Sequence, residues 1–227
     1  MDLGLKDKLI VVAAGEPGIA AEVAHACVRE GAHVVILSRS SEEVQPFMRA
    51  VEDSCTEYTL IEADLQDTEQ CMSAIEEIRE RFGDLYGLVN NGAVMNGVGL
   101  EEGDIESFTQ SLNTSLVPCY ALAHYALAGL KRTQGTIVNI ISRAAPEKTS
   151  AHAASNRGQL GLTREWAAEL LPHNIRVNAV VPAAAMTPAS EIAAAAVFLL
   201  SPTRSAHTTG QHVMAGAGKA HPGRARA

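Results

Sequence analysis

The sequence predicts one α/β domain built on a doubly wound parallel sheet. Three observations carry that expectation. Short apolar runs alternate with amphipathic stretches along all 227 residues, the pattern of strand–helix–strand units. The first apolar run leads through a glycine-containing turn, Ala13 to Ala20, into a helical pattern. Hydrophobic residues make up 47% of the chain, which suits strands buried on both faces by helices.

In chain order, the first strand is expected over 8–13, followed by a helix over 18–31. A strand over 33–38 precedes a helix over 41–54, and a strand over 58–62 precedes a helix over 68–82. The run 85–90 is the fourth strand, and 104–131 reads as one long helix. Strand 135–141, helix 151–171, strand 175–181, helix 190–200 and strand 212–215 complete the series. Ligands of such sheets bind beyond the carboxyl ends of the strands, so segments 13–20, 38–40, 64–65, 90–94, 142–152 and 182–190 should meet there. No repeat or linker divides residues 1–227.

Composition removes several function classes. A net charge of −8 and a pI near 5.5 argue against a nucleic-acid surface. The basic run Lys219 to Arg226 is short and reads as a frayed terminus. Cys27, Cys55, Cys71 and Cys119 have neither disulfide nor zinc spacing, which fits a reducing cytoplasm and no metal. No apolar run reaches the ~20 residues that span a bilayer, and Met1 to Gly4 does not read as a signal peptide.

Several motifs resemble those of the short-chain dehydrogenase/reductase family. These are the turn Ala13-Ala14-Gly15-Glu16-Pro17-Gly18-Ile19-Ala20, the run Asn90-Asn91-Gly92-Ala93, and Gly135-Thr136-Ile137-Val138-Asn139-Ile140-Ile141-Ser142. The later runs Leu160 to Arg164 and Ile175 to Pro182 add to them. The resemblance covers nearly the whole chain and implies a Rossmann-like sheet. Asp2 to Lys8, Thr163 to Ala167, Phe198 to Pro202 and His207 to Gln211 are similar to the branch near L-fucose dehydrogenases. The family carries a long substrate loop where only Ala183 to Ser190 stands here, so that loop is expected to be shortened or missing.

The resemblance assigns candidate residues. Gly15, Gly18 and Ile19 would approach a pyrophosphate at the start of the first helix. Pro17 removes one amide donor from that turn, and Glu16 adds an anion. Arg39 would pair with a 2′-phosphate, which makes any cofactor NADP(H). Asp64 and Leu65 would lie on the adenine side, Asn90 would tie the central strands together, and Thr187 would meet the carboxamide and phosphate.

The catalytic set that the resemblance implies is Asn113, Ser142, His152 and Asn156. His152 and Asn156 stand where the family has its tyrosine and lysine, four residues apart on one helix face. Tyrosine needs help to ionise near neutrality, whereas histidine, with a reference pKa of ~6.5, does not. The paired exchange is therefore coherent with acid/base work that needs no cofactor. The leading expectation is a non-redox enzyme of cyclase, isomerase or lyase type, acting on a small molecule such as a secondary metabolite and using His152, Ser142 and Asn113. The alternatives are an NADP(H)-dependent oxidoreductase with histidine in place of tyrosine, and a non-catalytic pseudoenzyme. The family's long helices imply a homodimer or homotetramer through 104–131 and 151–171.

Overall fold

The structure, a computed structural model, describes residues 2–15, 17–51, 58–91, 98–141, 149–184 and 187–216. Strand β1 (Leu9–Ala13) is buried throughout, and its side chains alternate between two apolar clusters. Ile10 and Val12 enter one cluster; Leu9, Val11 and Ala13 enter the other. Helix α1 (Pro17–Arg29), β2 (His33–Ser38), α2 (Ser41–Val51), β3 (Thr59–Glu62) and α3 (Thr68–Phe82) follow. Then come β4 (Gly87–Asn91), α4 (Ile105–Ser115), α5 (Val117–Thr133) and β5 (Thr136–Ile140). The chain continues through α6 (Ser150–Glu169), β6 (Arg176–Pro182), α7 (Ala189–Leu200) and β7 (His212–Ala215).

The seven strands form one parallel sheet in the order β3-β2-β1-β4-β5-β6-β7, the expected α/β architecture. Ile19, Val23, Ile192, Val197 and Leu200 of α1 and α7 pack on one face. Ile75, Ile78, Leu122, Leu130 and Trp166 of α3, α5 and α6 pack on the other. Strand order reverses at β1 and β4, so the ligand crevice opens beyond Ala13 and Asn91. One close approach fixes the turn into β5: a Cβ on Gly135 would lie 2.1 Å from the carbonyl oxygen of Tyr86.

The helix expected over 104–131 is two helices. α4 ends at Ser115, Leu116 intervenes, and α5 carries Pro118 in its first turn. The proline has no amide hydrogen to continue the ladder, and its ring crowds the carbonyl four residues earlier. β6 and α7 are separated by residues 183–188 alone. Among the described residues no helix is long and apolar enough to cross a membrane.

Candidate active site

Helix α6 buries a polar stripe. His152, Asn156, Gln159 and Thr163 are each 7% exposed or less, at spacings of four, three and four, which keep them on one face. His152 has no exposed surface. The Asn156 side-chain amide donates to its Nε2 across 3.1 Å. An amide nitrogen only donates, so Nε2 is the acceptor in this contact. The amide N–H of Ala151 donates to Val98 O at 3.3 Å, which sets the start of α6 against the segment that leaves β4.

The stripe continues into a polar ladder through the core. Gln159 Nε2 donates to Ser115 O at 3.1 Å, and Thr163 Oγ1 donates to Gln159 O at 2.8 Å. Asn139 Nδ2 donates to Thr163 Oγ1 at 2.9 Å, and Asn90 Nδ2 donates to Asn139 Oδ1 at 2.9 Å. Asn90 thus links β4 to β5. Cys119 lies beside this ladder, 3.4 Å from Asn90 Nδ2, and burial pushes its thiol up to about 12. That thiol is packing, with no role as a nucleophile.

Asn113 does not join this group. It is exposed, whereas the buried face of α4 carries Ser111 and Ser115. Two residues along a helix turn a side chain by about 200°, so Asn113 points away from the face that Ser115 presents. Ser115, 1% exposed and tied to Gln159 through its carbonyl, is the α4 residue next to the polar stripe. The signal that could have found it is Pro118, which ends α4 just after Ser115. Gln159 was also missed, because a lone glutamine inside a helical pattern carries no motif. Ser142 and Glu16 lie outside the described residues.

At the other end of the crevice, Pro17 is the first residue of α1, where a helix tolerates proline. Gly18 follows it, and a Cβ there would meet the Phe47 ring at 3.4 Å. The Ile19 side chain is buried in the core, which leaves only its backbone for a ligand. Gly15 N donates to Asn91 O at 2.6 Å and is spent on joining β1 to β4. Arg39 is exposed after β2, and its Nη2 pairs with Glu43 Oε1 at 2.7 Å. Asp64 Oδ1 accepts from Gln66 N at 3.1 Å, and Leu65 O receives the Cys71 thiol at 3.4 Å. Thr187 Oγ1 donates to Ala184 O at 2.8 Å in a closed turn.

The family model for short chain dehydrogenases matches residues 8–196. The chain belongs to the short chain dehydrogenase family. This dehydrogenase-family chain is 34% identical to L-xylulose reductase of Mesocricetus auratus over 195 residues, 82% of this chain and 75% of the relative. It is 28% identical to trans-4-hydroxycyclohexanecarboxylate dehydrogenase of Sinomonas cyclohexanicum, over 80% of this chain and 74% of that one. Among solved structures, the Cj0485 dehydrogenase is 31% identical, with a TM-score of 0.85 and 94% of both chains covered.

The family implies a nicotinamide dinucleotide. The phosphate and adenosine end fits one: the first turn of α1 stands at the carboxyl end of β1, where helix amides lack intrahelical partners, and Arg39 follows the carboxyl end of the neighbouring strand β2. The nicotinamide end is leaner, because the Thr187 hydroxyl is turned onto Ala184 and Asn156 brings no charge.

Proposed function

We propose that the chain is an NADP(H)-dependent oxidoreductase that interconverts a hydroxyl and a carbonyl on a small cyclic or sugar-like substrate, with His152 moving the proton. The observation that carries this reading is Arg39, a cation at the end of β2 on the adenosine side of the sheet's switch point. Relatives named as dehydrogenases and reductases of xylulose and of a hydroxycyclohexane acid support it. They give no support to the expected cyclase or isomerase chemistry. The motifs similar to L-fucose dehydrogenases favour a sugar within that substrate class.

When bound, the dinucleotide supplies or takes up the two electrons. The protein's own contribution is the His152–Asn156 pair. The Asn156 side chain holds a donor and an acceptor. Its amide nitrogen can donate to an unprotonated Nε2, and after a half-turn its Oδ1 would accept from a protonated Nε2. In carbonyl reduction Nδ1 of the doubly protonated ring would give its proton to the substrate oxygen, leaving a neutral ring protonated at Nε2 and paired with Oδ1; in alcohol oxidation the neutral ring's Nδ1 would take the proton back. The hydrogen bond from Gln159 to the Ser115 carbonyl holds α4 against this face of α6.

Titration of NADPH fluorescence with the full-length protein tests this reading. Micromolar binding, tighter than that of NADH, supports it. No binding at millimolar concentration would end it. We also expect a homodimer or homotetramer through α5 and α6; Val117 and Tyr120 are exposed on α5, and Tyr120 stacks on His124. Sedimentation velocity would read the assembly, and a monomer would contradict it.

A further inference from the structure

Arg39 is not a free cation. Its Nη2 lies 2.7 Å from Glu43 Oε1, one turn along the chain, and both side chains are solvent-accessible. Glu43 sits in the first turn of α2, where the positive end of the helix dipole stabilises a carboxylate. The other donors at that turn are also in use. Ser41 N donates to Glu62 Oε1 at 2.8 Å, and Glu42 N donates to Ser40 Oγ at 3.1 Å. Two carboxylates and a hydroxyl therefore already hold the groups that would greet an incoming phosphate.

We infer that Glu43 restrains the choice of dinucleotide: it occupies Arg39, so a 2′-phosphate must displace a carboxylate that a 2′-hydroxyl need not disturb. The inference rests on the oxidoreductase reading and adds to it a residue that sets specificity. A 2′-phosphate carries close to two negative charges, and Glu43 carries one, so the phosphate meets both competition for Arg39 and repulsion. A bare ribose hydroxyl meets neither. NADP(H) is still favoured through Arg39, but by a margin that Glu43 narrows. A phosphate dianion roughly 6 Å from a carboxylate, screened by water, gives about a tenfold penalty.

The test is a fluorescence titration of full-length wild type, Glu43→Gln and the double variant Arg39→Ala/Glu43→Gln with NADPH and with NADH. Glu43 is on an exposed helix surface, and glutamine keeps its shape and helix preference. Glu43→Gln should tighten NADPH binding by about 5- to 10-fold and leave NADH within about 2-fold. The double variant should lose that gain, because no cation remains for the phosphate. An unchanged ratio in Glu43→Gln, or equal tightening of both nucleotides, would overturn the inference while leaving the oxidoreductase reading intact. Failure of wild type and both variants to bind either nucleotide would overturn the two together.

Discussion

Asn156 Nδ2 lies 3.1 Å from Nε2 of His152, one helical turn below it, and both side chains are buried. A family position that usually pairs a phenol with an ammonium here pairs an imidazole with a neutral amide. The pair keeps a group able to exchange a proton and removes the formal charge next to it.

Asn156→Leu should slow turnover by about 5- to 10-fold, the scale of one lost hydrogen bond. Asn156→Asp should act differently. A carboxylate beside the imidazole favours its protonated form, so the alkaline limb of the pH profile for carbonyl reduction should move upward. Steady-state rates between pH 5 and 9 would read both effects. An unchanged profile in Asn156→Asp would show that the pair is not in the proton path.

Cys27 and Cys119 are fully buried, and burial, aided for Cys27 by Glu30, pushes both thiols up to about 12. At pH 8 the native protein should leave both unmodified by iodoacetamide over hours, and unfolding in urea should expose them. Peptide mapping of the alkylated protein checks this. Rapid native labelling of Cys119 would mean that the ladder around Asn90 opens readily.

Arg132 grips Asp84 with two contacts, Nε–Oδ2 at 2.5 Å and Nη2–Oδ1 at 2.6 Å, which joins α5 to the loop before β4. The hydrogen bond from Arg132 holds the Asp84 carboxyl below its usual range. A depressed carboxylate adds stability above its unfolded value, near ~3.9, and loses it as pH falls through the folded value. Arg132→Gln should therefore lower stability slightly at pH 7, as for an exposed pair, and lower it less at about pH 3, where the carboxyl begins to protonate. Urea melts at the two pH values would show it. An equal loss at both would remove the charge from the account.

Gly135→Ala should be among the costliest small substitutions in the chain. The added methyl would fall 2.1 Å from a backbone oxygen between two paired strands, where neither side can yield. We expect a loss of about 3 kcal/mol, at the upper end for overpacking. Thermal unfolding within about 0.5 kcal/mol of wild type would show that the turn relaxes freely.

Much of the fold was legible because parallel strands buried on both faces are plain apolar runs. Leu9–Ala13, His33–Ser38 and Thr136–Ile140 lie where the runs placed them. The break at Leu116 was less legible, since a proline in the first turn of a new helix looks, in sequence, like a proline inside an old one. The helix that carries His152 was placed by its motifs, whereas the exposure of Asn113 was not foreseen. Motif spacing across a helix break cannot say which side chain faces inward. Partners were the hardest to read. Nothing in the sequence alone pairs Gln159 with the Ser115 carbonyl, because that contact depends on distant backbone, and the local spacing of Arg39 and Glu43 does not say that their rotamers meet.

The central claim is that His152 carries the proton in an NADPH-dependent reduction. It is tested most directly by single-turnover oxidation of bound NADPH with a panel of ketoses and cyclic ketones, in wild type and in His152→Ala. The account predicts that wild type oxidises NADPH with at least one of them. His152→Ala should bind NADPH as tightly and react ~100-fold or more slowly, the usual scale of a lost general acid. Equal rates in the two proteins would contradict it.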